Sequence, residues 1–137
     1  MGAATAPLQS NRKESDICWY PVGANTTIWA GTLVTTRDDG YAYPARSGTA
    51  TDKFLGVAYE TVNNSNGAAG ALIIRIEKTG TYDYNTIGAT QASVGQPVYA
   101  ADDSDVTFTA LNNQEVGQVI EYHSATSVRV RIDLAVS

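Results

Sequence analysis

One cysteine, Cys18, and one histidine, His123, are all that 137 residues offer of the two side chains most used in metal binding and nucleophilic catalysis. A single cysteine forms no internal bridge, which excludes an extracellular disulfide framework but not a particle protein assembled inside a cell. One Cys and one His make no transition-metal site unless carboxylates supply the remaining ligands. The only carboxylate cluster is Asp102, Asp103 and Asp105, and a calcium loop would need Asp-x-Asp-x-Asp-Gly with a later Glu. Val106 and Thr107 break that pattern, so the cluster reads as a charged hairpin turn. No Gly-x-Ser-x-Gly elbow presents a nucleophile to His123, which is expected to be a solvated residue between two strands. Gly67-Ala-Ala-Gly70 is too short for a phosphate-cradling loop, and no Lys follows it. No catalytic residue, metal site or cofactor is therefore expected.

Long apolar runs are also missing, and none approaches the ~20 residues that cross a bilayer. The start of the chain lacks the charged and apolar regions of a signal peptide, and Ala6 stands where a myristoylation pattern needs Ser or Thr. Without a secretion signal, the glycosylation patterns at Asn25-Thr-Thr27 and Asn63-Asn-Ser65 read as chance. Basic residues are scarce: nine against fourteen acidic ones, a formal charge of -5. That balance favours solubility and opposes wrapping a nucleic-acid backbone, so neither nucleic acid nor membrane is an expected partner.

What the chain does have is β texture. Residues 1–16 are small and polar without a period and read as an extended N-terminal arm, leaving 17–137 as one β-rich domain. From Ile17 onward, short runs of Val, Ile, Thr and Tyr alternate with Gly, Asn, Asp and Ser clusters. Ile17-Cys-Trp-Tyr20 reads as a strand stopped by Pro21. Thr32–Thr36 and Tyr41–Tyr43 read as a hairpin about Asp39-Gly40, since Gly accepts positive φ. Phe54–Val62 and Ala71–Thr79 follow; in the latter Leu72, Ile74 and Ile76 share one face and Ile73, Arg75 and Glu77 the other. Gly80 breaks the run before Thr81–Tyr84. Thr90–Val94 reads as one helical turn capped by Thr90 and ended by Gly95 and Pro97. Pro97–Ala100, Val106–Thr109, Glu115–Tyr122 and Ser127–Ile132 complete the pattern. Strands this short and closely spaced predict an all-β domain, a small β-sandwich or partly open β-barrel with one short helix.

Aromatics crowd the first third of this domain: Trp19, Tyr20, Trp29, Tyr41 and Tyr43. Alternation cannot bury both Trp19 and Tyr20 on one face, so one points outward unless a second layer covers it. An outward aromatic beside a flexible arm suits a protein–protein hot spot. Arg129 and Arg131 share a face of the last strand and suit ion pairs between protomers.

Several stretches in this order resemble the small cement (head decoration) proteins of tailed bacteriophages. They are Asn25-Thr-Thr-Ile-Trp-Ala-Gly-Thr-Leu-Val34, Asp39-Gly-Tyr-Ala-Tyr-Pro-Ala45 and Phe54-Leu-Gly-Val-Ala-Tyr-Glu-Thr-Val62. Thr90-Gln-Ala-Ser-Val-Gly-Gln-Pro-Val-Tyr-Ala-Ala-Asp-Asp103, Val116-Gly-Gln-Val-Ile-Glu121 and Val128-Arg-Val-Arg-Ile132 follow. The resemblance implies a structural virion protein, not an enzyme, made in the host cytoplasm and bound to the outer surface of the mature head. Its partners would be the major capsid protein and itself, as homotrimers or, at two-fold positions, dimers. No functional residue carries over by motif. On this reading Leu8, Arg12, Lys13, Ile17, Trp19 and Tyr20 are expected to contact the capsid shell. Trp29, Tyr41, Tyr43, Arg129 and Arg131 are expected to serve self-association. The rival expectation is a tail-fibre or receptor-binding module that stacks Trp29, Tyr41 and Tyr43 on glycans.

Overall fold

A computed structural model describes residues 17–132, so the 1–16 arm, with Leu8, Arg12 and Lys13, lies outside the described residues. In chain order the strands are β1 (Ile17–Pro21), β2 (Thr26–Ile28), β3 (Leu33–Thr36), β4 (Ala42–Pro44), β5 (Lys53–Ala58) and β6 (Val62–Asn64). Then come β7 (Ile73–Glu77), β8 (Gly80–Asn85), β9 (Pro97–Ala100), β10 (Val106–Thr107), β11 (Glu115–Ser124) and β12 (Ser127–Ile132).

These strands form two five-stranded antiparallel sheets, β1-β7-β5-β3-β4 and β10-β9-β11-β12-β8, and a small β2-β6 ribbon. The first sheet curls: Val22, just past β1, bridges Ala42 at its far edge, so the sheet bends most of the way to a barrel. Its concave side encloses Val22, Ile28, Val34, Ala42, Leu55, Ala58, Ile74 and Ile76, with Ile28 supplied by the ribbon. Its convex side packs on the second sheet through Leu33 and Val57, against Val98, Val116, Val119, Val128, Val130 and Ile132. The architecture is thus a sandwich in which one layer is a half-barrel.

Two cores on opposite faces of one sheet explain the sequence texture. Leu33, Val34 and Thr35 are all buried, as are Leu55 to Ala58, because β3 and β5 lie between the two clusters. Such strands lose the polar-apolar alternation of a half-exposed strand. β12 keeps it, with Val128, Val130 and Ile132 buried and Arg129 and Arg131 turned outward. Gly56 permits the curl. Its φ is +143°, and a Cβ there would strike the carbonyl oxygen of Glu77 on the neighbouring strand.

Several expectations need correction. Phe54–Val62 is two strands, not one: at Tyr59–Thr61 the chain leaves the first sheet so that β6 can pair with β2, itself unforeseen. β1 does end at Pro21, as expected, and includes it opposite Ile73; on an edge strand the missing N–H costs no ladder bond. Tyr41 falls outside β4, its N–H taken by the Asp39 carboxylate at 3.0 Å. The helix shrinks to a 3-10 turn, Gln91–Ser93, where the Thr90 N–H donates to Ser93 Oγ at 3.0 Å. His123 lies within β11, not in a turn, and is exposed.

Candidate protein-binding surface

Paired residues in a sheet point to the same side, which fixes the chemistry of the β1–β7 face. Ile17 is opposite Glu77, Trp19 opposite Arg75 and Pro21 opposite Ile73, while Val57 on β5 is also opposite Glu77. Val57 belongs to the inter-sheet core. These residues therefore continue the same convex face that the second sheet covers over β3 and β5. Coverage ends at Glu77, whose carboxylate accepts from the Tyr82 hydroxyl of β8. Beyond that line the first sheet overhangs as a shelf. Trp19 (55% exposed), Ile73 (55%) and the adjoining Tyr59 (46%) lie along it.

Arg75 organises the shelf. Its guanidinium lies 5.6 Å from the Trp19 ring centroid and 4.8 Å from that of Tyr59, both within cation–π reach. The same group holds Glu60 bidentately, Nη2 to Oε1 at 2.9 Å and Nε to Oε2 at 3.0 Å. Those hydrogen bonds keep the Glu60 carboxyl below its usual pKa. The shelf is thus aromatic and aliphatic with its central charges cancelled. Fixed aromatic rings over a neutralised arginine are a composition that recurs at the centre of protein interfaces.

Tyr20, one residue from Trp19, faces the other way. Its ring packs against the concave core, and its hydroxyl accepts from Lys78 Nζ at 2.7 Å. Ile17 is half-buried at the start of the shelf, and Cys18 is exposed on the same strand.

The residues expected to serve self-association are not brought together. Trp29 is 60% exposed after β2, where backbone bonds from Ala30 to Thr61 Oγ1 and from Gly31 to Ala58 hold the turn near Tyr59. Tyr41 and Tyr43 are half-buried at the β3–β4 hairpin. Tyr43 donates to Asp39 Oδ2 at 2.5 Å and carries the Arg37 guanidinium 4.2 Å above its ring. That bond raises the Tyr43 phenol pKa and lowers that of Asp39. Arg129 and Arg131 share the outer face of the second sheet, where Arg129 Nε pairs with Glu121 at 2.9 Å and Asp83 at 3.3 Å. His123 also meets Asp83, at 3.3 Å.

The Asp102 carboxylate accepts the N–H groups of Ser104 and Asp105, both at 2.8 Å, as a charged turn does. Among the described residues no group of three or more His, Cys, Asp or Glu could hold a metal. A recess of about 230 Å³ lined by Asn85, Thr86, Ile87, Ala101, Asp105, Val106 and Thr107 lies below the usual size of a small-molecule site.

Tyr59, Glu60, Ile73 and Arg75 were not singled out in the sequence. A signal for two of them was available: Ile73 and Arg75 share one face of the most regular strand with Glu77. An isoleucine beside an arginine on the face opposite the core residues asks what covers it.

A family model described as phage cement protein matches residues 13–134. No curated protein and no solved structure matches the chain.

Proposed function

Because the chain belongs to the phage cement protein family, we propose that it binds the outer surface of the mature phage head and stabilises the lattice of the major capsid protein. The family places it among structural proteins of the phage capsid. The family match over residues 13–134, which spans every described strand, is the observation that carries this reading. Burial of the partly exposed apolar groups near β1, such as Ile73, supplies a physical means, since apolar area removed from water stabilises a complex by roughly 25 cal/mol per Å² before ordering costs.

The mechanism is linkage. A subunit that binds the expanded lattice and not its precursor stabilises the expanded state by mass action. Binding becomes conditional on maturation when expansion creates the composite site. Many copies acting together relax the demand on each contact. The chain works as a homotrimer or dimer on the virion, without catalysis, cofactor or nucleic acid. Leu8, Arg12, Lys13, Ile17, Trp19 and Tyr20 contribute the shell contact, Tyr20 through the edge it leaves exposed beside the concave core. Arg37 already occupies one face of the Tyr43 ring, which removes that face from glycan stacking.

The test is co-sedimentation of the full chain with expanded heads assembled without it. Full occupancy is expected for the intact chain and weakened binding for a variant lacking residues 1–15. Equal occupancy of the two would remove the arm from the contact; no binding by the intact chain would overturn the function.

A further inference from the structure

The recess at Asn85 lies on a seam of the second sheet. Its outer strands β10 and β8 come back together where Asp105, just before β10, bridges Asn85 at the end of β8. The polar part of the lining is the Asp105 carboxylate, the Asn85 side chain bonded to it, and Thr86. Thr86 is 4% exposed, and its Oγ1 has no hydrogen-bond partner among the described residues. A buried hydroxyl without a partner is destabilising, and a donor placed in the recess relieves it. Ile87, Ala101 and Val106 make the remaining wall apolar.

Those surroundings suit a lysine, whose methylene stem lies along apolar surface while its ammonium donates up to three hydrogen bonds. Asp105 has no ion pair among the described residues, and burial, then the charge of Asp102, push its carboxyl up. Unpaired cations stand elsewhere on the chain. Arg37 and Lys53 lie together where β3 ends and β5 begins, with Thr36 opposite Lys53 and the exposed Asp38 nearby. Neither cation has a carboxylate at ion-pair distance among the described residues, whereas Arg46, Arg75 and Arg129 hold Asp52, Glu60 and Glu121. Arg37 rests on the Tyr43 ring. That leaves Lys53 exposed and unengaged.

The acidic turn and Lys53 sit at opposite ends of β3. The Asp103 carbonyl accepts from the Leu33 N–H at 2.8 Å, and Lys53 is opposite Thr36. Three residue steps of β3, roughly 10 Å, separate these positions. That exceeds the ~8 Å screening length of physiological salt, so the two do not neutralise each other within one chain.

We infer that the seam recess is a socket for a basic side chain and that Lys53 of a second copy of this chain fills it, its ammonium on the Asp105 carboxylate and the Thr86 hydroxyl. The inference deepens the self-association in the reading above and rests on that reading only for the presence of a neighbouring copy. The socket and Lys53 are different patches of one surface. The contact is therefore head-to-tail, and it closes into a ring or runs on from copy to copy.

A carbodiimide, which joins an amine directly to a carboxylate in contact with it, tests the pairing. The sample is an equal mixture of ¹⁵N-labelled and unlabelled full chain, free in solution and on heads. The expected product is a Lys53–Asp105 link between labelled and unlabelled copies. Links confined to one copy, Lys53 joined to a different protein, or no link in either setting would each overturn the inference. Thr86→Val keeps the shape and charge of the socket and removes only the unpartnered hydroxyl. It is expected to lower the yield of the link several-fold while the thermal midpoint stays the same or rises, since the hydroxyl has no partner within the chain to lose. An undiminished yield in this variant would also overturn the inference. A chain that forms the link in solution and leaves heads bare would sink the head-binding function and not the socket.

Discussion

Gly56 and Glu60 show how single residues set the shape of the molecule and the character of its shelf. Gly56 lies in the middle of β5 with positive φ, and any Cβ there meets both the Glu77 carbonyl and the Ile76 side chain. Backbone strain and overpacking act together at such a position. Gly56→Ala is expected to cost about 2–4 kcal/mol, read as a lower denaturation midpoint at unchanged m-value. Glu60 governs the electrostatics of the shelf. Its carboxyl is held below the ordinary 4.5 by hydrogen bonds from Arg75. A depressed folded-state pKa means that the pair is intact above the unfolded value and is lost as pH falls through the folded one. Trp19 therefore keeps its environment from neutral pH down through 4.5 and changes only in stronger acid, when Arg75 loses its partner. Tryptophan fluorescence of a Trp29→Phe variant, in which Trp19 is the sole indole, measures this directly; a transition centred at or above 4.5 would contradict the pairing.

At the level of strands, the two-core arrangement decides which elements hold the fold. β3 and β5 are buried on both faces, and β12 lies between β11 and β8, whereas β1 is an outer strand with one exposed face and β2-β6 is a ribbon of three residues a side. Amide exchange follows local opening, and opening is easiest where few apolar contacts are lost. Protection is expected to be greatest in β3, β5 and β12, and orders of magnitude lower in β6 and at Ile17–Trp19 of β1. Comparable protection across all of these would show that something covers β1 in the free protein.

The same division explains what the sequence made legible. Strands with one wet face, such as β7 and β12, announce themselves by alternation, and the turn about Asp39-Gly40 is written in its residues. β2 was invisible because Thr26-Thr-Ile28 is too short to show a period. The Phe54–Val62 run concealed its break because Tyr59 is as good a strand residue as its neighbours. That break comes from tertiary bonds, the Tyr59 N–H to the Arg75 carbonyl at 3.0 Å and the Arg75 side chain to Glu60, which no local pattern encodes. Trp19 was legible as a candidate contact because alternation forces it and Tyr20 apart. Arg75, Tyr59 and Ile73 were not, because their exposure depends on where the second sheet stops. Arg129 was assigned to a neighbouring subunit by its chemistry alone, and Glu121 and Asp83 within the chain already engage it.

For the whole particle, the proposed role makes a quantitative demand. A ligand that binds only the expanded lattice adds RT ln(1 + [L]/Kd) per site, about 2.7 kcal/mol at a free concentration one hundred times Kd, and the term keeps growing with concentration after every site is filled. Heads decorated with this chain should therefore resist disruption at temperatures that climb with the logarithm of its free concentration, without a plateau at full occupancy. DNA release followed with an intercalating dye, over a concentration series of added protein, measures that slope. A plateau once occupancy is complete would mean that the bound subunits act as a kinetic barrier and do not exchange on the time scale of heating. A flat line from the start would mean equal affinity for expanded and collapsed shells, and a subunit that cannot tell them apart cannot hold the head in either.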